Sequence, residues 1–168
     1  MTSGKRGLLV TAVILLLAWA AAGAANDNQF WLGATPSASG TAATLVAVGA
    51  WPVAGWFWGR RSGSGFIRPA ILFWIAVVAG TPVVFWVWSH TRLTVSGGGW
   101  MVVTLMRALA VPLYGLAGTV LPTGEPMKTM LLGAGVSAMT LVAYLAARRL
   151  GWRTAQADPP CPIRKTPR

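Results

Sequence analysis

Few side chains in this 168-residue sequence can do chemistry, and they are scattered. The acids are Asp27, Glu125 and Asp158, and the single histidine and cysteine are His90 and Cys161. General acid–base catalysis usually needs two matched groups held together, and a metal site needs several ligands at a defined spacing. No His-Glu-x-x-His pair, serine–histidine constellation or Walker-type loop is present. The run from Arg60 to Gly65 and the triplet Gly97, Gly98 and Gly99 have the glycines of a phosphate cradle. Neither sits between a strand and a helix with a following Lys-Ser/Thr, so both read as turns. The expectation is a non-enzymatic protein with no cofactor and no metal. Arg107 stands apart: it interrupts an otherwise apolar segment and is the candidate functional polar group.

The chain is 55% hydrophobic and only 10% charged, whereas a soluble domain carries about 25% charged residues. Runs 7–26, 28–59, 69–89 and 129–147 contain no Asp, Glu, Lys, Arg or His. Each holds about 18–20 mostly apolar residues, enough to cross a hydrocarbon core of about 30 Å as a helix. Strands are excluded because the runs do not alternate, and so few segments cannot close a membrane barrel. The expected fold is all-α and integral to a membrane. It is a compact bundle of five hydrophobic helices near residues 8–25, 41–58, 69–88, 100–121 and 129–147. Residues 1–152 form the membrane domain, and 153–168 are a disordered, basic, Pro-rich tail.

Fourteen Lys and Arg against three acids give a net charge of +11. Their placement fits a membrane rather than a nucleic acid, since no aromatic interleaving accompanies them. With four crossings and the N-terminus inside, eleven of the fourteen basic residues are cytoplasmic and Arg92, Arg107 and Lys128 are outside. Five crossings erase that asymmetry. Four crossings are therefore favoured, with 100–121 dipping in and returning on the outer side; the alternative is a full fifth crossing in which Arg107 snorkels. The loop Gly59–Arg68 is then cytoplasmic, the segment Asn26–Gly40 is external, and both termini are cytoplasmic, in a bacterial inner membrane. Residues 1–25 also resemble a secretory signal, but the apolar stretch exceeds the usual h-region and reads as a retained anchor.

Pro52, Pro82 and Pro112 mark helix kinks, each removing one amide donor. Thr81 is placed to satisfy a carbonyl freed in this way. Gly55 and Gly59 form a small-xxx-small pair suited to close packing, whereas Gly40 is assigned to a loop. Trp19, Trp51 and Trp74 read as core, and Trp56, Trp58, Trp86, Trp88, Trp100 and Trp152 as a headgroup-level belt. Pro52, Val53, Trp56 and Trp58 recur as Pro82, Val83, Trp86 and Trp88, thirty residues on. A helix plus a loop takes about that length, and we favour that explanation over duplication. Abundant packing surface with little chemistry points to an accessory or scaffold subunit of an envelope assembly, with the lipid bilayer and membrane proteins, or further copies of itself, as partners. The alternative is a small homo-oligomeric transporter or holin-like pore former.

Overall fold

The computed structural model describes residues 3–61, 65–90, 99–120 and 126–157. They form six helices: α1 (Ser3–Leu32), α2 (Ala38–Arg60), α3 (Ile67–His90), α4 (Gly99–Leu109), α5 (Val111–Val120) and α6 (Pro126–Ala157). Four of them, α1, α2, α3 and α6, are long and apolar enough to cross a membrane, while α4 and α5 form a pair bent by 56°. In hydrocarbon every backbone amide must bond within the protein, and a helix does this within one segment.

The ends of α1 and α2 are written in the sequence between them. Gly33 adopts φ 60°. Its N–H donates to Phe30 O at 3.2 Å and that of Ala34 to Gln29 O at 3.0 Å, the two bonds of a Schellman cap. Ser37 then caps α2 by accepting from Gly40 N at 3.0 Å. The segment from Asn26 to Gly40 is therefore not one loop. The turn spans residues 33–37, because Phe30, Trp31 and Leu32 resume the apolar pattern after Asn26 and Asp27. At the other end of the chain, residues 153–157 continue α6 where a disordered tail was expected; residues 158–168 lie outside those described.

Contacts set the direction of each helix. Trp58 of α2 donates its indole N–H to Thr11 Oγ1 at 3.1 Å, and Asn26 reaches Gly40 and Thr44, so α1 and α2 are antiparallel. Gly65 lies against Leu8, and Trp31 meets Trp88 at 6.3 Å, so α3 runs with α1. Gly55 faces Thr140 and Gly59 faces Tyr144, which makes α6 parallel to α2. One end of the bundle thus gathers Lys5, Arg6, Arg60, Arg61, Arg68, Arg148 and Arg149, and is called here the basic end. The turn 33–37, the end of α3 and the start of α6 lie at the far end.

The core is aromatic at mid-height. Trp51 stacks on Phe73 with ring centroids 4.7 Å apart, and Trp19 meets Trp74 edge-on at 5.6 Å. Such pairs add about 0.5–1.5 kcal/mol each beyond burial. Trp19, Trp51 and Trp74 are buried; Trp56, Trp86 and Trp100 are exposed. Trp58 is buried too, against its expected place in the belt, because Gly7 of α1 leaves room for its ring. The matched residue Trp88 is instead 37% exposed, so the two members of the thirty-residue match have different surroundings. Around the outside, Leu17, Val46, Leu72, Val83, Leu131 and Val142 are each at least 60% exposed, as a lipid-facing surface requires.

Along the α2–α6 seam the backbones approach closely. A Cβ built on Gly55 would lie 2.7 Å from Thr140 O, and one on Gly59 would collide with Tyr144 O and sit 3.0 Å from the Ala147 Cβ. Gly40, assigned to a loop from sequence, is instead buried in α2 against the Asn26 amide. Gly55→Leu and Gly40→Leu should both destabilise the protein in detergent, by about 1–3 kcal/mol or more for overpacking. Gly49→Leu, with nothing within 4 Å of its added Cβ, serves as the neutral reference. Thermal unfolding followed by intrinsic tryptophan fluorescence checks the ranking; equal midpoints for all three would remove the close approach.

Candidate functional site

Asn26 and Asp27 are adjacent on α1, and successive helical residues point about 100° apart. Asn26 consequently faces α2 while Asp27 faces α4. These two polar residues organise the far half of the molecule, and the object they organise is the bent pair α4–α5.

Arg107 on α4 grips Asp27 with two parallel bonds, Nε to Oδ1 at 2.9 Å and Nη2 to Oδ2 at 3.0 Å. This fork is the geometry in which guanidinium and carboxylate bind best. Trp31, one turn further along α1, donates its indole N–H to the same Oδ1 at 2.9 Å, and its ring lies 5.9 Å from the guanidinium carbon. The Arg107 side chain is 55% exposed and that of Asp27 29%. Arg107 was singled out from sequence, but Asp27 was placed outside any helix and its role was missed. The legible signal is that an arginine in an apolar segment needs a counterion, and Asp27 directly follows the first charge-free run, with Phe30, Trp31 and Leu32 close behind it.

Asn26, fully buried, places its amide nitrogen 2.8 Å from Ala22 O, 3.2 Å from Gly40 O and 3.0 Å from Thr44 Oγ1. Thr44, also fully buried, brings its hydroxyl within 3.0 Å of Gly40 O and 2.9 Å of Pro112 O. A hydroxyl has one proton, and Gly40 O already receives the asparagine, so Pro112 O is the acceptor left for Thr44. Thr41 donates to Gly115 O at 3.0 Å, and Tyr114 donates to Ala34 O at 2.7 Å. Gly115 lets α5 lie directly on α2, because a Cβ there would overlap the Gly40 carbonyl and the Thr44 hydroxyl.

The break between α4 and α5 falls at Ala110, two residues before Pro112. Proline is tolerated in the first turn of a helix, where its missing N–H has no intrahelical acceptor anyway. It does leave the carbonyl of Ala108 without its usual donor. Trp19 fills that role: its indole N–H donates to Ala108 O at 2.7 Å. The other two prolines are treated differently. Pro52 lies beside Trp51 within α2, and Pro82 lies next to Thr81 within α3. The Thr81 hydroxyl donates at 2.6 Å to Val77 O and not to Val78 O, the carbonyl that Pro82 frees, because a threonine reaches back four residues.

Seen from their contacts, α4 and α5 stay in one half of the bundle. Leu109 packs beside Gly80, Val102 and Met106 cluster with Val84, and Gly118 meets Pro36. The deepest point is level with Trp19, near mid-height. By length and composition such a pair is either one broken span or a re-entrant loop, and α3 ends and α6 begins at the same, far end. His90 closes α3 there, stacked on Trp86 at 4.8 Å. Among the described residues no group of three or more His, Cys, Asp or Glu is placed to hold a metal. Comparison with protein-family models, with curated proteins and with solved structures finds no match.

Three substitutions test these contacts. Asp27→Asn and Arg107→Gln should each destabilise more than half as much as the double substitution, with a coupling of about 0.5–3 kcal/mol. A double-mutant cycle of thermal stability in lipid nanodiscs measures it, and strict additivity would deny the pair. Trp19→Phe keeps the ring but removes the donor to Ala108 O. It should cost about 1–3 kcal/mol and speed hydrogen exchange at residues 108–113, read by mass spectrometry.

Proposed function

We propose that this multi-pass membrane protein is a non-enzymatic accessory or scaffold subunit of a larger assembly in the bacterial inner membrane, such as a secretion, conjugation or transport system. The observation that carries this reading is the use made of the polar side chains. Asn26, Thr41, Thr44, Tyr114 and the Asp27–Arg107 pair all tie one helix to another. A secondary transporter keeps such groups for substrate or coupling ions at the bilayer midplane. At that level this bundle holds Trp19, Trp51, Phe73 and Trp74 in mutual contact. Strongly exposed apolar residues on every long helix offer surface for neighbouring membrane subunits as well as for lipid.

Orientation follows from charge. Lys and Arg near helix ends are retained on the cytoplasmic side, and the basic end carries them on α1, α2, α3 and α6 alike. That end is cytoplasmic in our reading, with the turn 33–37 and the α4–α5 pair on the outer side and both termini inside. A second reading, a homo-oligomeric transporter or holin-like pore, draws on the proline-interrupted helices and the half-exposed Arg107.

In intact spheroplasts, an impermeant maleimide should label Thr35→Cys but reach Gly65→Cys only after permeabilisation; the reverse pattern defeats the orientation. Purification of the tagged protein from its native membrane in mild detergent should bring down other membrane subunits in fixed ratio. A protein that runs alone, together with solute flux or dye leakage on controlled expression, would favour the pore instead.

A further inference from the structure

A groove of about 860 Å³ opens on the flank of α1 beside α4. Its wall along α1 runs from Leu16 to Asn28, with Ala20, Gly23 and Ala24 between, and Phe73 closes its deep end. Twelve residues of helix span about 18 Å, close to the half-thickness of about 15 Å that one leaflet contributes to a hydrocarbon core. The small residues make the groove: between Trp19, which lines its deep part, and the polar rim, the α1 lining positions Ala20, Gly23 and Ala24 carry nothing longer than a methyl group. The rim itself is Asp27, Asn28, Thr104 and Arg107. Trp31, Trp88 and Trp100 are part-exposed near this end, at 36%, 37% and 58%, and exposed indoles settle at headgroup depth. Polar rim and apolar trough therefore fall where a phospholipid has its headgroup and its acyl chain.

The rim also has the charges to select a headgroup. Two of the five N–H donors of Arg107 are bound to Asp27, which leaves three to bind a phosphate. Asp27 supplies a carboxylate beside them for a cation. We propose that this groove is a binding site for one zwitterionic phospholipid with a primary ammonium, of the phosphatidylethanolamine type. Its phosphate lies on Arg107, its ammonium on Asp27, and one acyl chain lies along Ala20 and Gly23 to Phe73. The site holds whether the protein serves as a scaffold or as a pore.

The test uses the full chain in detergent micelles, titrated with phosphatidylethanolamine, phosphatidylglycerol or phosphatidylcholine and read by native mass spectrometry. One phosphatidylethanolamine should be retained per chain, about tenfold or more tightly than either other lipid, as loss of one charge-assisted contact implies. The double substitution Asp27→Asn with Arg107→Gln, which keeps net charge, should abolish that preference. Ala20→Trp, which fills the trough without touching the rim, should abolish retention, whereas Val142→Trp on another face should not. As a readout that needs no variant, a phosphatidylethanolamine carrying a photoreactive group on its acyl chain should crosslink to the segment between Leu16 and Ala24. Equal retention of the three lipids, retention unaffected by Ala20→Trp, crosslinks spread evenly over all helices, or a protein subunit crosslinked through Ala24→Cys in place of lipid would each overturn the proposal.

Discussion

A break in a helix at mid-membrane depth exposes backbone carbonyls where no water can reach them, and most of the polar chemistry of this protein answers that one constraint. The chain turns at Ala110, and Pro112 removes the donor that Ala108 O would have had. Trp19 supplies a replacement from α1, and Thr44 and Thr41 add bonds from α2 to the carbonyls of Pro112 and Gly115 in α5, tying the second half of the pair in place. Each such bond contributes only about 0.5–1.5 kcal/mol net, but a buried carbonyl left without a donor costs about 1–3 kcal/mol. The bent pair is thus held only where α1 and α2 present these donors at the right height. The Asp27–Arg107 fork fixes α4 against α1 in the same half of the bundle.

Much of this was legible in the amino-acid order. Gaps in charge located the four long helices. The tryptophans at positions 19, 51 and 74 declared themselves by lying inside apolar runs and away from their ends. What the residue order hides has a common cause: polar residues divide an apolar sequence whether or not the helix ends there. Asn26 and Asp27 read as the end of a helix because a lipid-facing segment would not tolerate them. They are tolerated because one faces α2 and the other meets an arginine eighty residues away in sequence. The same division put Gly40 in a loop. Trp58 was misplaced for a different reason, since only the small residue opposite it on α1 reveals that its ring turns inward.

Small and large residues share the packing in a consistent way. Where backbones must touch, along α2–α6 and between α2 and α5, glycine is found; where helices stand further apart, as α1, α2 and α3 do at mid-height, tryptophan and phenylalanine fill the gap. Two of those rings, Trp51 and Trp74, bury an indole nitrogen without a hydrogen-bond partner. They are kept there by their size and by ring contacts, with the polar atom as a cost.

The parallel seam between α2 and α6 has a bearing on how the protein comes into being. Gly59 and Tyr144 are neighbours in space but about 85 residues apart along the chain. At a synthesis rate of about 5–20 residues per second, α2 waits on the order of 4–17 s in the membrane before its main packing partner emerges from the ribosome. During that interval its glycine face has no seam to close, and the half-built bundle is an open clamp available to chaperones, to membrane proteases and to a neighbour's helix. The α2–α6 seam therefore closes only when α6 arrives, and a chain halted after α5 leaves the glycine face of α2 uncovered.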